Sequence, residues 1–213
     1  MTENELSQRD RIIREGRDLV LRYGIRSMSM ADLATHLGMS KKTIYQYFKD
    51  KNDLVDAIVT VMLDHNCEMC RLERIQSKDA IHEIFLSMDM NRGIMQTMNP
   101  GLLYDLQKYH PKSFEKFRKF KDEFLFDIVK SNVLRGIEEG LYRTDFHVEL
   151  IARFRTDAVN FLFNREVSQQ LKLSMEFVFD ELHYHFMYGL VTPKGYKLIQ
   201  KYQQQLEDQK QKK

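Results

Sequence analysis

Apolar residues recur along this chain at intervals of three and four, the spacing of one face of an α-helix. Ile12, Gly16, Leu19, Val20 and Tyr23 share such a face, and Gly24 follows where a C-terminal cap is needed. Met30, Leu33, Ala34 and Leu37 form a second stripe. Ser29 precedes it and Asp32 stands three residues later, the spacing of a capping box. That helix stops at Gly38, and Ser40 is the natural N-cap of a third, which holds Ile44, Tyr45, Tyr47 and Phe48. A fourth helix begins at about Lys51, carries Leu54, Ala57, Ile58 and Val61 inward, and runs to about residue 75.

Beyond residue 75 the chain breakers are sparse, and each long interval between them reads as helix. Pro111 suits the first turn of a helix that presents Phe114, Phe117, Phe120, Phe124 and Ile128 and ends near Gly140. Asp145 can cap the next, with Ile151, Phe154, Ala158, Phe161 and Leu162 inward. From about Gln169 to Tyr188 one stripe holds Met175, Val178, Phe179, Leu182 and Phe186, and a second holds Phe177, Tyr184 and Tyr188. A helix apolar on two sides has to cover both, which predicts a partner subunit joined through paired helices. The lysine- and glutamine-rich stretch from Gln203 to Lys213 reads as a solvated helix end or tail. No internal repeat stands out. The expected fold is all-α: a head over 1–55, a larger helical body over 56–195 and a polar helix or tail over 196–213.

Composition narrows the class further. Only 9 Gly and 3 Pro in 213 residues argue against sandwiches, barrels and loose linkers. Hydrophobic content of 43% with 30% charged residues and a net charge of +2 fits a globular chain rather than a disordered one. Two cysteines cannot staple a chain of this length, so a reducing compartment is expected. The acidic start lacks the apolar stretch of an export signal, and no charge-free run reaches the roughly 20 residues that span a bilayer. A cytoplasmic protein with no membrane partner is therefore expected.

The candidate chemistry lies between residues 30 and 49. Ala34 is small where two helices cross, Gly38 supplies a left-handed turn four residues on, and Ile44 is an apolar plug six residues later. That is helix-turn-helix spacing, which leaves the second helix free to enter a major groove. Its outer positions Lys41, Lys42, Thr43, Gln46 and Tyr47, with Ser40 at its start, offer partners for phosphates and base edges. From Lys41 to Lys51 four lysines face Asp50 alone, so the positive charge is focused on one edge of a nearly neutral chain. A solvated helix face, or core packing for Tyr45 and Phe48, is the plainer reading of the same residues.

The run from Ser29 to Leu54, with its ending Ile-Tyr-x-Tyr-Phe-x-x-Lys-x-x-Leu, resembles the N-terminal domain of the TetR family of bacterial repressors. The resemblance covers about the first 55 to 60 residues; the rest agrees in length and helical character only. It implies a homodimer with three-helix DNA-binding heads, and a body that binds a small-molecule effector and pairs through its last two long helices. It also implies groove or backbone contacts for Thr43, Tyr45, Gln46 and Tyr47, and phosphate contacts for Lys51 and Ser29. The function expected is a repressor released from a palindromic double-stranded operator. Gly16 stands where a small Ala is commoner and Lys42 where a small residue often sits.

A cavity among the body helices is expected on the same grounds, and Met88, Met98, Tyr104, Phe124 and Phe161 are its candidate lining residues, although core packing explains each equally well. Cys67 and Cys70, near His65, raise the alternative of a thiol- or metal-sensing or protein-interaction regulator. The three do not share one helical face, and His183 and His185 likewise diverge, so no metal site is expected. A Gly-rich phosphate loop, a Gly-x-Ser-x-Gly elbow and a His-Glu-x-x-His motif are all missing, so no enzyme, catalytic residue or cofactor is expected.

Overall fold

A computed structural model of the protein describes residues 3–164 and 170–211, and among these the fold is all-α. Helix α1 (Glu3–Tyr23) buries Ile12, Ile13 and Val20 and stops at Gly24, whose φ of +84° is a left-handed cap. Gly16 lies at a tight crossing: a Cβ there would stand 3.0 Å from the Ile58 side chain. Tyr23, expected on the buried face, is 53% exposed, because the chain turns away one residue later.

Helices α2 (Met30–Leu37) and α3 (Lys41–Tyr47) follow, and α4 (Lys51–Gln76) continues from the head into the body without a break. The boundary expected at residue 55 thus falls inside a continuous helix, and the head core reaches Ile58 and Val59. This core also takes in Leu106 and the partly buried Leu102, Phe114 and Phe117, contributed by α6 (Leu102–Tyr109) and α7 (Pro111–Lys119).

The helix expected from Pro111 to near Gly140 is interrupted. A π-helical turn at Phe120–Leu125 separates α7 from α8 (Phe126–Glu138). It turns Lys121 inward to ion pairs with Asp122 at 2.7 Å and Asp157 at 2.6 Å. A wider turn shifts the phase of the stripe beyond it, which helical periodicity alone does not register.

A second core joins α5 (Ala80–Thr97), α8, α10 (Met175–Leu190) and α11 (Pro193–Gln211) around the fully buried Ile81, Met88, Met187 and Ile199. Helix α9 (Val148–Leu162) is capped by His147 rather than Asp145; the latter instead receives Arg143 at 2.7 Å. Its buried residues are Ala152, Thr156 and Leu162, whereas Phe154 is 60% and Phe161 44% exposed, contrary to the expected inward stripe. Periodicity finds an apolar face but not what covers it.

Helix α10 begins at Met175 behind the Ser174 cap, and the expected start at Gln169 lies outside the described residues. Its stripe through Met175, Phe179 and Phe186 is buried, and Phe177 and Tyr188 on the other side are exposed. Helix α11 packs through Tyr202, which is buried, stacks on His82 and donates to Asp79 at 2.5 Å, and beyond it Gln204, Gln205, Glu207 and Asp208 are exposed, as expected of a solvated helix end. The last residues of that stretch, 212 and 213, lie outside the description. Among the described residues no helix is long and apolar enough to cross a membrane.

Candidate nucleic-acid interface and body cavity

The unit formed by α2 and α3 is held by local bonds that its sequence specifies. The Ser29 hydroxyl accepts from the Asp32 amide at 3.1 Å while the Ser29 amide donates to the Asp32 carboxylate at 3.0 Å, so the capping box is complete with aspartate in place of glutamate. The Ser29 hydroxyl also donates to that carboxylate at 2.6 Å, and this bond, followed by the one from the Ser29 amide, holds the Asp32 carboxyl below its ordinary range. Gly38 adopts φ +65°, and the amide of Met39 then reaches the Ala34 carbonyl at 2.9 Å to close the turn. Ser40 caps α3 by accepting from the Thr43 amide at 3.0 Å.

The side chains of α3 divide cleanly. Ile44 and the capping residue Phe48 are buried at 0% and 1% exposure, which fixes the helix on the head core. Arg9 lies over the Phe48 ring at 5.3 Å. Lys41, Lys42, Tyr45 and Gln46 are exposed, Thr43 and Tyr47 are partly so, and Ser40 and Lys49 are exposed at its two ends. Lys41 stands 5.8 Å from the Tyr45 ring centroid, so the aromatic face and the ammonium form one surface. Ser29 is exposed at the start of α2.

Lys51 sits differently: it is partly buried, with its ammonium 3.5 Å from the Arg26 carbonyl. Burial lowers its pKa, and Asp105 and Asp32 pull the other way. It thus borders the seam between head and body.

That seam has three further ties. The Asn99 amide donates to the Leu21 carbonyl at 2.7 Å, and the Arg26 amide to the Asp105 carboxylate at 3.3 Å. Asp56 of α4 accepts from Lys116 at 2.9 Å and Ser113 at 3.1 Å, both on α7. Burial works to raise the Asp56 carboxyl, but these hydrogen bonds outweigh it and hold it below the usual carboxylate range.

Behind the seam the body encloses a cavity of about 250 Å³. Its wall joins Val20 and Ile25 of the head to Ile58, Val59 and Met62 of α4, to Met95 and Met98, to Leu106, and to Phe117. Of the five residues expected to line it, Met98 does. Met88 is fully buried in the second core, Phe124 stacks on Phe120 with Arg71 5.6 Å over its ring, and Tyr104 and Phe161 are 48% and 44% exposed.

The polar wall residues Asn66, Asn91, Arg155, Thr156 and His183 were not singled out as a site in the sequence. Arg155 had a legible signal: with Ala152, Val159 and Leu162 it shares the buried face of α9 at helical spacing. Cys70 also lines the wall; burial, the leading cause, pushes its thiol up to about 12, and burial raises Cys67 as well. Both stay protonated at neutral pH and are weak nucleophiles. Among the described residues no group of three or more His, Cys, Asp or Glu is placed to hold a metal ion.

Comparison with known proteins fits this geometry. Residues 12–58 match the family of bacterial regulatory proteins, tetR family. The HTH-type transcriptional regulator YvaF of Bacillus subtilis (strain 168) is 34% identical over 107 residues, which are 47% of this chain and 53% of that protein. The HTH-type transcriptional regulator Rv0472c of Mycobacterium tuberculosis (strain ATCC 25618 / H37Rv) is 33% identical over 57 residues, 27% of this chain and 24% of that one. The matched part is therefore about half, or less, of these relatives' lengths.

Solved structures align over more of the chain. A TetR-family regulator from Agrobacterium tumefaciens superposes with a TM-score of 0.71 at 17% identity, covering 88% of this chain and 99% of that one. Another from Chloroflexus aurantiacus J-10-FL gives 0.67 at 15%, covering 90% and 100%. At such identities the likeness is one of fold.

Proposed function

We propose that this chain, a DNA-binding transcriptional regulator of the TetR family, is a homodimeric cytoplasmic repressor that a small-molecule effector releases from a palindromic operator. The carrying observation is the division of α3: Ile44 and Phe48 anchor it, and Lys41, Lys42, Tyr45 and Gln46 are left facing outward. A short helix fixed from behind and polar and cationic in front meets the needs of major-groove readout.

Dimerisation is supported by the uncovered apolar side chains of the body, Leu150, Phe154 and Phe161 on α9 and Phe177 and Tyr188 on α10. These two helices pack against one another, so an interface built on them joins two copies as a four-helix bundle. Effector response is supported by the cavity, whose wall includes Val20 and Ile25 of the head. An occupant that changes the packing of these residues changes the head position that DNA also selects. The two binding free energies then oppose one another through one conformational equilibrium.

Selection of binding sites from random duplexes by the purified full chain tests this reading. The expected product is two inverted half-sites with centres about one helical turn apart. Lys42→Ala should weaken all sequences alike and flatten the slope of log K against log salt by about 0.9. Gln46→Ala should instead alter base preference. Recovery of no preferred sequence, or of single unpaired half-sites bound by monomer, would overturn the proposal.

A further inference from the structure

The buried face of α9 carries a charge. Arg155 lies among the apolar wall residues of the cavity, and a cation in such surroundings is costly unless something compensates it. Burial lowers its pKa only to about 10, so the guanidinium remains charged at neutral pH.

Its neighbours hold it without neutralising it. An Arg155 N–H donates to Nε2 of His183, whose own Nδ1–H donates to the Phe179 carbonyl at 2.7 Å. That pair of bonds fixes the imidazole as a neutral acceptor, and burial and the Arg155 charge keep its pKa well below the ordinary value. The Phe186 ring centroid lies 5.7 Å from the guanidinium carbon. A guanidinium has five N–H donors, and His183 takes one.

A cation placed only to tie helices together would be expected to use the carboxylates nearby. Glu73 and Glu83 line a smaller cavity that Arg155 and His183 also border. Glu83 is committed to Arg74 at 2.8 Å and Arg135 at 3.0 Å, and among the described residues no carboxylate pairs with Arg155.

The geometry points to an effector that is an apolar molecule bearing one carboxylate, with the carboxylate on Arg155 and the apolar body against Met95, Met98 and Leu106. A planar fork of donors matches a carboxylate with two parallel bonds, and the lack of a carboxylate among the described residues of the wall leaves that place to the ligand. A dry cavity of roughly 150 Å³ holds benzene, so this one takes on the order of ten heavy atoms. Arg155 is thus a specificity-determining residue of the cavity that the proposed function assigns to the effector, and the inference rests on that assignment.

Calorimetric titration of the full chain, without DNA, with decanoate, decanol and decylamine tests it. Decanoate should bind at least about tenfold tighter than decanol, and decylamine weakest. Arg155→Met should weaken decanoate roughly 10- to 100-fold while leaving decanol unchanged, and Arg155→Lys should retain part of the preference. If Arg155→Met does not fold, the ligand comparison on the native chain still decides. Equal affinity for decanoate and decanol, or no binding by any saturated carboxylate from octanoate to dodecanoate, overturns the inference. Decanoate that binds the cavity yet leaves an operator complex intact instead overturns effector release and spares the role of Arg155.

Discussion

Substituting Asp56 by Asn removes the charge at the centre of the seam between α4 and α7 while keeping the side chain's shape. The wild-type carboxylate accepts from Lys116 at 2.9 Å and from Ser113 at 3.1 Å, and Lys112 stands 3.7 Å away. With side-chain exposures of 20% for Asp56 and 37% for Lys116, the pair lies between the surface and buried classes. Exposed pairs are worth about 0.2–1 kcal/mol, and removing one partner of a buried pair costs about 3–5. Lys116 also reaches the Thr60 hydroxyl at 2.7 Å, which softens the loss. A coupling of about 1–2 kcal/mol follows, and in a chain of this size about 2–4 °C in Tm per kcal/mol.

The assay is a double-mutant cycle of Asp56→Asn and Lys116→Met, followed by thermal unfolding at pH 7. The sign of its pH dependence is fixed as well. The folded carboxyl titrates below its ordinary 3.8, so its contribution is present above that pH and is lost as the solution is acidified through the folded value. A cycle that closes with no coupling at pH 7, or a coupling that grows on acidification, would refute the assignment of Asp56 as a charged tie between α4 and α7.

Two further tests probe the body. Burial, with Glu83 adding to it, raises the Glu73 carboxyl to about 7 from 4.5, so the folded chain binds the extra proton between these values and loses stability as pH climbs through that window. Glu73→Gln should therefore raise Tm at pH 8, where the penalty of about 3 kcal/mol is complete, and do little at pH 5; an equal gain at both would contradict this. Gly136→Ala, ordinarily helpful in a helix, should destabilise by several kcal/mol, because the new Cβ would stand 2.0 Å from the ring of Tyr142, which is only 1% exposed. A Tm unchanged or raised in a melt of this variant would show that the ring has room to move.

The head was legible because its determinants are local. Ser29 with Asp32, Gly38 and Ser40 act within a few residues of themselves, and Ile44 plugs a space that its own motif creates. The same locality let the outer positions of α3 be read as exposed before any fold was known. Lys51 is the exception, since its partners, the Asp105 charge and the Arg26 carbonyl, approach from elsewhere in the chain.

In the body the periodicity of apolar residues was enough to place helices, since a helix needs only one repeating face. It did not decide which face was inside. Phe154 and Phe161 repeat as core residues would and stand exposed, while the stretch expected to be a polar helix or tail over 196–213 buries Ile199 and Tyr202. Lys121 of the π-turn at Phe120–Leu125 pairs with Asp157, 36 residues away, and the charge of Arg155 gains its meaning from an imidazole 28 residues away. Bonds within one turn of helix are written in adjacent letters, whereas cavities and ion pairs between distant helices exist only after packing has chosen which faces meet.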